Sequence, residues 1–156
     1  MQNFIRSQTR LAFVQYIFQS EFSNSDTNPD IQDFQEHFYN SNIAIIDEKK
    51  EFKLKFNKNF LNKLFLNYKK NINKKKLIND LNNIINLNRK FEKWDNILKA
   101  IIFAIISEIL ITDKKKFKIV FDDYLNISKS FVSIKETKLI NAIIQKYIDL
   151  HEKDKK

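Results

Sequence analysis

Two arginines, Arg6 and Arg10, are the side chains in this sequence best suited to gripping a polyanion. A guanidinium fork binds phosphate bidentately and stacks on bases, which an ammonium group cannot do. Arg89 is the one other arginine, and all remaining basic residues are lysine. Four residues apart, Arg6 and Arg10 share one side of a helix, beside Tyr16 and Phe18, a basic and aromatic grouping suited to single-stranded RNA. The alternative is a solvated first helical turn with no ligand, and the residues alone leave both readings open.

Other chemistry is scarce. His37 and His151 are the only imidazoles, one in a polar helical segment and one in the charged tail, so neither a metal pair nor an acid-base dyad is expected. Asp122 and Asp123 are adjacent, which on a helix points them apart; they read as complements to a helix dipole and not as metal ligands. With no cysteine there are no disulfides, thiolate sites or cysteine nucleophiles, and with no glycine the phosphate-cradling loops of nucleotide enzymes are excluded. No catalytic residue, cofactor or metal is expected. The runs Lys74 to Lys76 and Lys114 to Lys116 cannot face one ligand from consecutive helical positions; the first reads as a solvated face and the second as a lysine-rich connection.

The elements that would position these residues are helices. Leu11, Val14, Phe18 and Phe22 form an apolar stripe on a first helix from Phe4 to Phe22. A polar breaker from Ser23 follows, and Asn28-Pro29 opens a second helix over about Asp30 to Tyr39. Residues 40 to 51 read as a loop. A helix from Phe52 to Lys70 is interrupted by Asn71 and Asn73, and Leu77, Leu81, Ile84 and Ile85 mark the next. From Phe91 to Ile111 apolar residues cover most of the circumference, as in a helix packed on several sides. Phe117 to Phe131 forms another helix, Ser133 and Glu136 make a capping box, and the last helix gives way to a charged tail at 151–156.

One domain of all-α class follows from 156 residues and 43% hydrophobic content. The apolar stretch from Ile97 to Ile111 contains Lys99, Ser107 and Glu108 and falls short of the ~20 residues that span a bilayer. No signal peptide is recognisable, and a cytoplasmic location is expected. A net charge of +9 favours a polyanionic partner, although the abundance of Lys, Asn and Ile also fits an AT-rich genome.

Three segments, in order, resemble the NusB family. Ser7 to Glu21, with Gln15, Phe18 and Glu21 at the expected relative places, is similar to the family's opening Arg-x-x-Ala-x-Gln-x-Leu-Tyr-x-x-Glu pattern. Ile101 to Leu110 resembles its long central helix, which ends Tyr-Glu-Leu-Leu. Val120 to Phe131 resembles Val-Ile-Asn-Glu-x-Val-x-Leu-Ala-Lys-x-Phe, and Lys138 to Ile144 resembles Lys-Phe-Val-Asn-Gly-Val-Leu. Phe103 stands where the central helix usually has a basic residue, and Val132 and Ala142 where glycine is usual.

The resemblance implies a bundle of about seven helices in two packed halves, about 1–70 and 72–150. It also implies a non-enzymatic antitermination factor acting in rRNA transcription. Such a factor binds boxA-like RNA together with NusE, a ribosomal protein, alongside other antitermination factors and RNA polymerase. It points to Arg6, Arg10, Phe18, Phe131 and Lys138 for RNA, and to Phe18, Phe131 and Leu139 for the partner protein. Two alternatives are a related RNA-targeting domain serving an RNA methyltransferase and a helical interaction module that binds no RNA.

Overall fold

The computed structural model describes residues 2–22, 42–43, 52–53, 56–85 and 90–154. Among these are six α-helices: α1 (Gln2–Ile17), α2 (Lys58–Asn71), α3 (Lys74–Ile84), α4 (Asn96–Ile109), α5 (Phe117–Ser128) and α6 (Ile134–Asp154). A π-helical turn, Phe18–Phe22, continues α1, and short 3-10 turns at Phe91–Lys93 and Lys114–Lys116 precede α4 and α5. β1 (Asn42–Ile43) pairs antiparallel with β2 (Phe52–Lys53), Asn42 opposite Lys53 and Ile43 opposite Phe52. The class is all-helical. The helix expected over Asp30 to Tyr39, the rest of the loop expected at 40 to 51, His37 and Arg89 lie outside the described residues.

α4 is the centre of the bundle. Every residue from Leu98 to Ile109 is buried, and the helix packs on α1, α2, α5, α6 and the π turn. A helix enclosed on so many sides has no face for its polar residues, so each must find a partner inside. Lys99 donates to the Glu92 carbonyl at 3.1 Å and lies 4.7 Å from the centre of the Phe22 ring. Ser107 accepts from the Asn67 amide at both its carbonyl (2.7 Å) and its hydroxyl (3.1 Å). Glu108 is answered by Arg10, described below.

Asparagine sets the α2–α3 break that Asn71 and Asn73 mark in the sequence. Asn57 accepts from the Phe60 amide at 3.1 Å and Asn73 from the Lys76 amide at 3.2 Å, each satisfying an N–H that has no helical acceptor. Ser133 and Glu136 form the expected reciprocal box, at 3.0 and 3.1 Å.

Four boundaries differ from the sequence reading. The helix expected from Phe52 begins at Lys58, since Phe52 and Lys53 pair with β1. The one expected from Phe91 begins at Asn96, because the Asn82 side chain accepts from the Phe91 amide and donates to Glu92, both at 2.9 Å, tying that segment to α3. The helix expected to reach Phe131 stops at Ser128, and residues 129 to 131 turn through amide bonds to Leu125, Ile127 and Ser128. The charged tail, by contrast, stays helical to Asp154: His151 stacks on Tyr147, and Glu152 meets Lys114 at 2.7 Å.

The stripe expected on α1 is also broader than periodicity suggested. Ala12, Phe13, Val14, Tyr16 and Ile17 are the buried apolar residues, while Leu11, Phe18 and Phe22 are half-buried. The helix wedges against α2, α4 and α5, so three surfaces cover it where a single stripe needs one.

Candidate nucleic-acid interface

Helical spacing puts Arg6 and Arg10 on the same side of α1, and both border one cleft, but packing buries Arg10 and leaves Arg6 exposed. Arg6 is exposed, its guanidinium 5.9 Å from the Phe60 ring centre. Arg10 is buried, with a side chain only 8% exposed. Its Nε donates to both Glu108 carboxylate oxygens at 3.0 Å, its Nη2 to Glu108 at 2.8 Å, and its Nη1 to Asp123 at 2.6 Å. The Phe60 and Tyr124 rings flank the guanidinium at 5.5 and 5.8 Å. The structure thus places Arg10, expected at a phosphate, in the interior, where Glu108 and Asp123 take three of its five N–H donors.

Burial disfavours the Arg10 charge, but hydrogen bonds and charge attraction from Glu108, with Asp123, outweigh it and raise its pKa above the ordinary value. Tyr124 completes the network, donating to Glu108 at 2.9 Å; Ser7 donates to Asp123 at 2.6 Å. Asp123 thus joins α1 to α5, where the sequence suggested only a dipole complement.

Enclosure, with the Glu108 carboxylate alongside, pushes the Tyr124 phenol well above its ordinary value of 10.0. Linkage then fixes the sign: above pH 10 the unfolded chain loses a proton that the folded chain keeps, so stability falls as pH rises past the ordinary value. Tyrosinate absorbance is expected to show Tyr124 ionising only as the fold is lost, against a Tyr124→Phe reference. Ionisation near its ordinary value in the intact fold would contradict this.

Arg6 opens onto a cleft of about 600 Å³ between α1, α5 and the start of α6. Ile119, Asp122, Asn126, Lys129 and Thr137 line it with Arg6. Phe131, 43% exposed, follows Lys129 in the α5–α6 connection, and Ile134 is exposed at the start of α6. Lys138 is exposed and Leu139 half-buried, immediately after the cleft residue Thr137. The structure thus brings Arg6, Lys129 and Thr137 to one cleft, with Phe131, Lys138 and Leu139 within two residues of it in the chain. Phe18 is not with them. It lies about 18 Å farther along the axis of α1 at 1.5 Å per residue, half-buried against the core.

Sequence reasoning missed Glu108, Asp123 and Ser7. A signal for the first existed: an acid inside a helix apolar all round must meet a buried cation, and arginine offers the best-matched fork. Among the described residues, no group of three His, Asp or Glu side chains could hold a metal ion, and no helix is long and apolar enough to cross a membrane.

The chain is similar to the transcription antitermination protein NusB of Rickettsia massiliae, with 26% identity over 146 residues, covering 94% of this chain and 92% of that protein. The NusB of Rickettsia conorii matches with the same identity and coverage. The three segments that carry the resemblance, α1, α4 and α5–α6, are the ones joined through Arg10, Glu108 and Asp123 or lining the cleft, and the family model matches residues 7–149: the chain belongs to the NusB family.

Proposed function

We propose that this protein is a non-enzymatic, cytoplasmic RNA-binding antitermination factor, acting as a single domain. It engages boxA-like single-stranded RNA together with NusE during rRNA transcription, in a complex with other antitermination factors and RNA polymerase. The observation that carries the reading is the cleft lined by Arg6, Lys129 and Thr137, with the exposed Phe131 and Lys138 close by in sequence, in a chain of this family.

Arg6 and Lys138 supply phosphate contacts and Phe131 a ring on which a base can stack. Leu139 and Phe131 face NusE. With Arg10 committed to the interior, the N-terminal helix offers one arginine to RNA, so the protein alone binds weakly and a partner that shares the ligand strengthens it. Titration of a boxA-like RNA is expected to show tighter binding with NusE present. Arg6→Ala is expected to flatten the slope of log affinity against log salt by ~0.7, the value of one lost single-strand contact. Equal affinity with and without NusE, where the two proteins demonstrably associate, counts against the reading.

A further inference from the structure

The exposed face of α2 carries charge of one sign. Lys58, Lys63, Lys69 and Lys70 are its charged residues, all four are exposed, and the helix contains no Asp or Glu. At about 100° per residue the four fall within an arc of about 140°, with Asn59, Asn62 and the exposed Leu66 between them. α3 adds Lys74, Lys75 and Lys76 before Asp80. Seven lysines against one acid place six of the chain's nine net positive charges on these two helices.

A lysine-rich composition does not account for this. Compositional bias adds lysine throughout the chain without clearing acids from one face. In α5 and α6 the lysines are interleaved with Asp122, Asp123, Glu136, Asp149, Glu152 and Asp154. Helix stability does not account for it either. Lys69 and Lys70 complement the dipole at the end of α2, but Lys58 opens that helix and Lys74 to Lys76 open α3, where a helix favours acids. Lys74 meets Glu21 of the π turn; its neighbours Lys75 and Lys76 are exposed.

This surface also continues the end described above. The Arg6 guanidinium sits over Phe60 of α2, and Lys69 lies 5.4 Å from the Phe65 ring centre. From Phe60, Lys63 and Lys70 follow along the helix about 10 Å apart.

We propose that the lysine face of α2, continued onto the first turn of α3, is a second RNA-binding track that holds the sugar-phosphate backbone of a strand engaged at the Arg6 end. Lysine ammonium groups act as point charges without a bidentate fork, so the track adds affinity without reading bases. It compensates for the arginine that α1 withdraws into the core. This inference rests on the RNA-binding reading.

The test compares Lys63→Gln/Lys69→Gln/Lys70→Gln with a control of equal charge loss, Lys115→Gln/Lys116→Gln/Lys146→Gln, at exposed positions outside both the cleft lining and the lysine face. The probe is an unstructured single-stranded RNA of ~16 nucleotides, long enough to leave the Arg6 end. Glutamine keeps nearly the helix propensity of lysine, and circular dichroism checks that both variants fold. The α2 variant is expected to lose roughly tenfold in affinity and to flatten the salt slope by about 2, three contacts at ~0.7 each, while the control moves much less. Equal losses in the two variants, with Arg6→Ala still weakening binding, overturn the track and spare the RNA-binding reading. Failure of the wild-type protein to bind the RNA overturns both. Competition by polyglutamate as effective as that by RNA, sensitive to the same three lysines, assigns the face to an acidic protein and overturns the track.

Discussion

Arg10→Ala is expected to cost about 3–5 kcal/mol of folding stability, because it removes the cation from a buried site and leaves Glu108 without its counter-charge. Glu108 lies in a helix buried on every side and, among the described residues, would keep only the neutral Tyr124 hydroxyl as a hydrogen-bond partner for its carboxylate. Arg10→Lys is expected to recover part of the loss: it restores the charge but cannot reproduce the fork to Glu108 and the third bond to Asp123 together. Arg6→Ala, at an exposed site, should stay within about 0.5 kcal/mol of the parent protein. Urea denaturation measures all three. A loss below about 1 kcal/mol for Arg10→Ala would mean that water or a rearranged side chain satisfies Glu108. The pair also separates two roles that spacing alone makes equivalent, since Arg6→Ala should act on RNA binding and Arg10→Ala on the fold.

Phe103→Ala is expected to destabilise by about 3–5 kcal/mol, the usual cost of emptying a buried aromatic site. The ring is 1% exposed, stacked on Phe91 at 5.6 Å and tilted against Phe22 at 5.4 Å, where it ties α4 to the 3-10 turn before it and to the π turn after α1. Those neighbours belong to two segments separate from α4, so the cavity cannot close without shifting one of them. Phe103→Arg restores the residue class usual at this position in the resembling family and is expected to be worse than alanine. In this chain the position faces two phenyl rings, and a guanidinium there would be buried beside apolar groups. Thermal melting compares the two. If Phe103→Arg were as stable as the parent, the Phe22, Phe91 and Phe103 cluster could not be a tightly packed part of the core.

The sequence by itself determined the all-helical class and the deep burial of α4. It also determined the α2–α3 break at Asn71 to Asn73 and the capping box at Ser133. These are local: helical period, a polar side chain within reach of a free amide, and the lack of any polar face on α4 can all be read within a few residues. It determined the family too, through ordered segments at the two ends of the chain. What only the tertiary structure decided is which of two equivalent arginines meets solvent. Arg6 and Arg10 share a helix side, a side-chain type and one turn's separation, and no local rule distinguishes them. The partners that do so, Glu108 and Asp123, lie 98 and 113 residues away in sequence. Tertiary structure likewise brought Lys129 and Thr137 to the cleft that Arg6 lines. Helix packing decides which ends of α1, α5 and α6 converge, and a one-dimensional pattern does not encode that choice.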